Sequence, residues 1–299
     1  MSNQNAPLAF QKVLIAAVSA ADEYYNRGNL IAQRDLENQE LVRLLTKLDF
    51  GMALFSGHQM YMQSGFNSFL TLRHAMMHNG FEASEGHLNL NVKITINGFA
   101  GLLRQTIESL IRSVWLLDVT NRAQISERGF AVIWENATNR LKYEQALKSP
   151  KVEESRKYLD VLRIEGITKG LFLVDRHDSS KYADDPRIQI EDASGLLRKV
   201  ITPIDLPVDL LAQRGIGFVN AEWVYRWLSG LTHGLDWAHI GNELPENLDF
   251  ALTIRKPDLE RFSIAAMYVL QISQRLFALT DGDFQKRLSS MFEPNPKPL

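Results

Sequence analysis

The chain has no cysteine among its 299 residues. This absence excludes disulfide bonds, cysteine nucleophiles and metal sites built on thiolates, and it fits a reducing compartment, so we expect a cytoplasmic protein. A strong charge of either sign is also lacking, because 33 Lys and Arg stand against 35 Asp and Glu, for a formal net charge of -2. A chain so close to neutral has no overall attraction for nucleic acid, so binding to RNA would need a local basic cluster.

Long apolar runs are the third thing that the sequence lacks. No segment approaches the roughly 18 consecutive apolar residues of a transmembrane helix, so no membrane association is expected. The apolar stretch 13–18 follows Lys12 and faintly resembles the core of a signal peptide. Helical spacing of apolar residues continues beyond that stretch to Tyr24, which favours a first amphipathic helix instead.

Helical periodicity dominates what is present. Hydrophobic residues make up 45% of the chain and charged residues 23%, which is the composition of a soluble globular protein with a sizeable core. Apolar residues recur at intervals of three and four over most of the length, so the sequence predicts an all-α fold: a multi-helix bundle with at most a minor strand pair. We expect a single helical domain over residues 1–292, followed by a disordered Pro-rich tail over 293–299.

Glycine and proline mark the expected interruptions. Glycines and prolines are frequent between residues 166 and 217, which predicts an irregular insertion or cap there. The pairs Ser56-Gly57 and Ser64-Gly65 are expected to interrupt the helices around them. Alternating apolar and polar residues in 88–96 indicate a short strand or an extended loop, and the segment 249–254 indicates a short strand. Pro257 is placed to begin a long helix.

A charged ladder lies in the most apolar predicted helix. Arg104, Glu108 and Arg112 follow one another at intervals of four residues and therefore share a helix face. Apolar residues flank them, and a partly buried charge must be paired or hydrogen-bonded. The ladder is either a structural set of ion pairs or the lining of a polar cleft. In a cleft, Arg104 would bind an anion and Glu108 would orient an imidazole or another arginine.

A second candidate site lies in the predicted helix around residues 219–239. Arg226 and His233 are seven residues apart and therefore lie on one helix face. Arginine binds phosphate, and histidine transfers protons near neutral pH. The residues expected to support this pair are Ser229, Asp236 and Trp237. We expect this stripe and the charged ladder to face each other in one cleft. The alternative is a packed aromatic face with an interior, hydrogen-bonded His233.

Metal binding has only weak support in the sequence. His74 and His78 are four residues apart on one helix face, but a zinc site needs a third ligand and no HExxH glutamate accompanies them. A helix-terminal role for His78 is the better interpretation, because a cationic imidazole stabilises the last turn of a helix. We therefore predict no metal and no cofactor.

Two resemblances follow from these residues. The combination of 103–108 and 115–118 with 228–234 and 237–238 resembles a pattern in bacterial proteins of mostly actinobacterial origin, for which no function is established. More distantly, Arg226-(six residues)-His233 resembles the R-x(4–6)-H motif of HEPN-domain ribonucleases. These are helical-bundle proteins of toxin–antitoxin and phage-defence systems, in which the arginine and histidine meet across a dimer interface and cut RNA without metal.

The HEPN resemblance implies a role for each member of the pair. Arg226 would stabilise the phosphorane, and His233 would act as general acid or base for attack by a ribose 2′-hydroxyl. The first function hypothesis is therefore a HEPN-like, metal-independent ribonuclease that acts as a homodimer, or a relative that has lost activity. The competing hypothesis is a non-catalytic protein that binds an anionic ligand or a partner through the same cleft.

Overall fold

The computed structural model describes most of the chain. The described residues are 6–77, 81–84, 87–90, 96–175, 188–191, 197–199, 221–233, 252–254, 256–281 and 283–293. The chain divides into two compact units. Unit 1 comprises Met1–Glu37, Gln59–Trp115 and Pro203–Asp283, and unit 2 comprises Asn38–His58, Leu116–Thr202 and Phe284–Leu299. Neither unit is continuous in sequence. The prediction of a single domain over 1–292 stays a prediction, since compactness alone does not establish independent folding.

Helices account for most of the described residues. In chain order they are α1 (Ala6–Ser19), α2 (Ala21–Glu37), α3 (Gln39–Thr46), α4 (Gly51–Met77), α5 (Ile96–Leu117), α6 (Arg122–Ala146), α7 (Val152–Thr168), α8 (Ala221–Thr232), α9 (Lys256–Thr280) and α10 (Asp283–Ser290). The predicted all-α class and multi-helix bundle are confirmed.

Short strands form two small antiparallel sheets. Their bounds are β1 (Phe81–Ser84), β2 (His87–Leu90), β3 (Phe172–Asp175), β4 (Ile188–Glu191), β5 (Leu197–Lys199) and β6 (Leu252–Ile254). One sheet has the order β1-β2-β6 and lies in unit 1, and the other has the order β3-β4-β5 and lies in unit 2. The sequence suggested at most one minor strand pair, from the segments 88–96 and 249–254. These segments overlap β2 and β6, which pair with each other. The strands beyond that pair are β1 and the β3-β4-β5 sheet.

The core of unit 1 is built around α9. Helix α1 packs along it, and the hydroxyl of Ser263 donates a hydrogen bond of 2.7 Å to the carbonyl oxygen of Phe10. Within the described residues, the stretch Asp258–Thr280 is long and apolar enough to cross a membrane, but 61% of its most apolar window is buried inside the protein. Burial of that kind is what a core helix of a globular protein shows.

The core of unit 2 lies between α6 and α7. Phe130 and Trp134 on α6 pack with Leu162 on α7 and with Leu171, which precedes β3. Gly166 allows α7 to approach closely, because a Cβ at that position would lie 2.8 Å from the ring of Phe130. This cluster anchors the start of the predicted insertion. The described part of 166–217 contains the last residues of α7 and the β3-β4-β5 sheet. The remainder lies outside the described residues.

The predicted breaks at Ser56-Gly57 and Ser64-Gly65 are wrong, since α4 continues through both pairs. The glycines serve helix packing instead. A Cβ on Gly57 would lie 2.8 Å from a methyl group of Val132, and a Cβ on Gly65 would lie 2.8 Å from the side chain of Leu110. Tertiary contacts therefore outweigh the weak helix propensity of glycine, which is about 1 kcal/mol below that of alanine.

Candidate functional site

The charged ladder forms on α5 as the spacing predicted. Arg104 Nη2 lies 3.8 Å from Glu108 Oε2, and Arg112 Nη2 lies 3.6 Å from Glu108 Oε1. The three side chains are only 23%, 25% and 16% exposed in chain order. One carboxylate thus lies between two guanidinium groups, with each oxygen facing one of them. The charges are largely withdrawn from water, so they interact more strongly than a surface pair would.

Tyr225 on α8 connects the first arginine to the carboxylate. Its hydroxyl accepts a hydrogen bond of 3.2 Å from Arg104 Nη2 and donates one of 3.4 Å to Glu108 Oε2. The Arg104 guanidinium also lies 5.3 Å from the centre of the tyrosine ring, within reach of a cation–π interaction. Tyr225 is 5% exposed, so these contacts are shielded from water. The tyrosine therefore fixes both charged groups in position.

Tyr61 on α4 plays the equivalent part for the second arginine. Arg112 Nη1 donates a hydrogen bond of 3.0 Å to its hydroxyl, and the guanidinium lies 5.2 Å from the ring centre. Each arginine of the ladder thus has a tyrosine partner from a different helix. The two tyrosines limit how far the arginines can move away from the carboxylate between them.

His233 follows the last residue of α8 and contacts the other edge of Arg104. The distance from Arg104 Nη1 to His233 Nε2 is 3.3 Å, and the imidazole is exposed. A guanidinium has donors only, so a hydrogen bond in this pair is one that Arg104 donates and Nε2 accepts. The backbone N–H of His233 bonds to the carbonyl oxygen of Ser229 at 3.0 Å, which extends the helical pattern to the histidine.

A cleft of about 550 Å³ opens beside these groups. Its lining includes Arg104, Glu108 and Arg112 from α5, Tyr61 from α4 and Thr232 from α8, and the other lining residues within the described part of the chain are uncharged. The volume lies within the range of about 300–1,000 Å³ that is common for small-molecule sites. The described lining residues therefore carry two positive charges and one negative charge, which gives them a net charge of +1. The cleft can therefore receive an anion even though the whole chain is slightly acidic.

The structure brings together some of the predicted site residues and separates others. Arg104, which lines the cleft, meets His233 directly, so the expectation that the ladder and the α8 stripe meet holds for these two. Arg226 lies two turns before the histidine, about 10 Å along the helix axis. It is exposed and is not among the described residues that line the cleft. Ser229 is half-buried. Asp236 and Trp237 lie outside the described residues.

The predicted histidine pair is described only in part. His74 is exposed on α4, and His78 lies outside the described residues. Among the residues that the structure describes, no group of three His, Asp or Glu side chains is arranged to hold a metal ion. The zinc interpretation therefore gains no third ligand within that part of the chain.

Three residues of the site were not predicted from the sequence. Tyr225 and Thr232 are seven residues apart and share a face of α8 next to the one that carries Arg226, so a wider helical stripe would have included them. Tyr61 gave no such signal, because it comes from α4 and reaches the cleft only through the packing of α4 beside α5.

Comparison of the chain with protein-family models, with curated proteins and with solved structures finds no match in any of the three. The cleft itself is therefore the basis on which a function is proposed.

Proposed function

We propose that the cleft between α5 and α8 binds the phosphate of an RNA strand and that the protein is a HEPN-like, metal-independent ribonuclease. The contact between Arg104 and His233 carries this proposal: it is 3.3 Å long and lies beside a cleft whose described lining has a net charge of +1. It joins a guanidinium, which binds phosphate oxygens well, to an exposed imidazole, which can transfer a proton.

The arrangement suggests how substrate binding would activate the histidine. Arg104 donates to Nε2, so this nitrogen is engaged. A phosphate oxygen that took over the Arg104 N–H would free Nε2 to accept the proton of the ribose 2′-hydroxyl. The 2′-oxygen then attacks phosphorus, the bond to the 5′-oxygen breaks, and that oxygen takes a proton from water. The products are a 2′,3′-cyclic phosphate and a 5′-hydroxyl.

In this proposal Arg104 takes the main phosphate-binding role that the sequence assigned to Arg226. The guanidinium charge stabilises the extra negative charge on the phosphorane, which is where preorganised donors contribute most to catalysis. Arg226 remains a second cation on the exposed side of α8, where the RNA strand or a second copy of the chain would meet it. A homodimer and a cytoplasmic location remain parts of the proposal.

The test is RNA cleavage in the presence of a chelator. Wild-type protein, His233→Ala and Arg104→Ala are incubated with mixed-sequence RNA, beside His74→Ala, which removes an exposed histidine from another surface. We expect wild type and His74→Ala to release 2′,3′-cyclic phosphate ends. His233→Ala should be slower by about 10²-fold or more, because positioned proton transfer contributes that much. Equal rates for His74→Ala and His233→Ala would refute the assignment.

The charged groups of the cleft already contact one another, and this favours a second function. Glu108 faces both arginines, and His233 Nε2 is already occupied by Arg104. This is the arrangement expected of a non-catalytic protein that binds an anionic ligand or partner. The same experiment separates the two functions, since a binding protein would retain RNA in a filter assay at low salt and leave every strand intact.

A further inference from the structure

Glu108 is a carboxylate in a cleft that is otherwise built for an anion. Its oxygens face Arg104 at 3.8 Å and Arg112 at 3.6 Å, and the Tyr225 hydroxyl donates to it. The two ion-pair distances exceed those of a hydrogen bond. An anion that enters the cleft would lie beside the same two arginines that face Glu108.

The charges that face an incoming anion can be counted. Arg104 and Arg112 supply two positive charges and Glu108 supplies one negative charge, while Tyr61 and Tyr225 supply none. The sum over these described residues is +1. A ligand group with one negative charge is fully compensated by this lining. A group with two keeps one uncompensated negative charge beside the carboxylate, at a place where charges are largely withdrawn from water, and an unpaired charge is costly there.

We propose that Glu108 determines specificity in this cleft by making it accept a singly charged phosphodiester, such as the linkage within a nucleic-acid strand, and disfavour a doubly charged terminal phosphate. This inference rests on the proposed phosphate-binding function. The linkage between nucleotides carries one negative charge at neutral pH, whereas a phosphate monoester carries nearly two because its second pKa is about 6. The cleft would thus engage the interior of a strand in preference to its phosphorylated end.

The tyrosines make this selectivity a fixed property of the site. Tyr225 holds Glu108 through its hydroxyl and holds Arg104 through both its hydroxyl and its ring. Tyr61 holds Arg112 in the same two ways. Moving the carboxylate out of the cleft would break the hydrogen bond from Tyr225 and both ion pairs together. Ligand binding is therefore expected to leave Glu108 in place.

Two ligands that cannot be cleaved test the inference by calorimetry on the full-length protein. Thymidylyl-thymidine offers one phosphodiester without a 2′-hydroxyl, and thymidine 5′-monophosphate offers a doubly charged monoester at pH 8. We expect wild type to bind the diester at least about tenfold more tightly, the factor that corresponds to 1.4 kcal/mol. In Glu108→Gln the preference should disappear or reverse. Glu23→Gln, on the exposed surface of α2, changes the net charge equally and should keep it.

Wild-type protein alone supplies a second measurement, which does not depend on the folding of a variant. Between pH 5 and pH 8 the monoester gains its second charge and the diester does not. We expect the affinity for the monoester, relative to that for the diester, to fall through about pH 6.

The outcomes separate the two proposals. Failure of wild type to bind either ligand would refute phosphate binding itself. Three outcomes would refute the role of Glu108 and leave phosphate binding intact. They are equal affinity for the two ligands, a ratio of the two affinities that does not change with pH, and a Glu108→Gln variant with the same preference as Glu23→Gln.

Discussion

Gly65→Ala tests the packing that holds the cleft helix α5 against α4. Gly65 is buried inside α4, and a Cβ built on it would lie 2.8 Å from both Cγ and Cδ2 of Leu110 and 3.3 Å from the backbone nitrogen of that residue. Leu110 is fully buried on α5, so its side chain would have to move within the core. The added methyl group therefore requires a shift of this side chain or of the two helices.

The expected magnitude follows from two opposing terms. Alanine is favoured over glycine in a helix interior by about 1 kcal/mol, which alone would stabilise the variant. Forcing an extra carbon into a packed core costs about 1–3 kcal/mol. Gly101→Ala on α5 provides the matched control, because its Cβ would meet nothing closer than Thr232 at 3.8 Å, an ordinary contact. The propensity term cancels between the two variants, so they should differ by the overpacking cost of about 1–3 kcal/mol.

Urea denaturation followed by far-UV circular dichroism and tryptophan fluorescence measures both free energies of unfolding. Both glycines belong to unit 1, so the same transition is compared even if the two units unfold separately. We expect Gly101→Ala to be more stable than wild type and Gly65→Ala to be less stable than Gly101→Ala by the stated margin. Equal stabilisation in both variants would show that α4 and α5 do not approach as closely as described.

Two further predictions concern single polar groups. Tyr225→Phe keeps the ring but removes the hydroxyl between Arg104 and Glu108. Because hydrogen bonds to charged groups contribute about 1.5–3 kcal/mol, urea denaturation should show a free energy of unfolding that is lower by at least about 1 kcal/mol. An unchanged free energy of unfolding would contradict the bridging geometry. Burial raises the pKa of Asp35, against the opposing effect of its hydrogen bond from Arg34. The native state then binds the proton more tightly than the unfolded state, so the free energy of unfolding should fall as pH rises from about 4 through the raised pKa. The stability of Asp35→Asn relative to wild type should therefore increase across that pH range. A difference in stability that stays constant with pH would refute this prediction.

The sequence was most informative where neighbouring residues decide the structure. Intervals of four residues placed Arg104, Glu108 and Arg112 on one face of α5, and the structure pairs them as expected. An interval of seven placed Arg226 and His233 on one face of α8, but the interval could not show which of the two lines the cleft. Apolar periodicity alone was enough for the all-α class, because a helix must bury one stripe whatever its partner is.

Tertiary packing decided the remaining features, since they depend on residues that are far apart in the chain. The sequence treated Gly57 and Gly65 as helix breaks, whereas contacts with α5 and α6 turn them into points of close approach within α4. Tyr61 belongs to the cleft only because α4 passes beside Arg112.

Distance along the chain also explains why the fold class was predictable and the composition of the site was not. A helix and its polar face follow from local spacing, so the sequence by itself determined that α5 carries a charged ladder. The relative placement of α4, α5 and α8 decides which imidazole meets that ladder and which tyrosines hold its arginines. This placement is visible only in the folded chain. The pairing of Arg104 with His233, across 129 positions of sequence, is of this second kind.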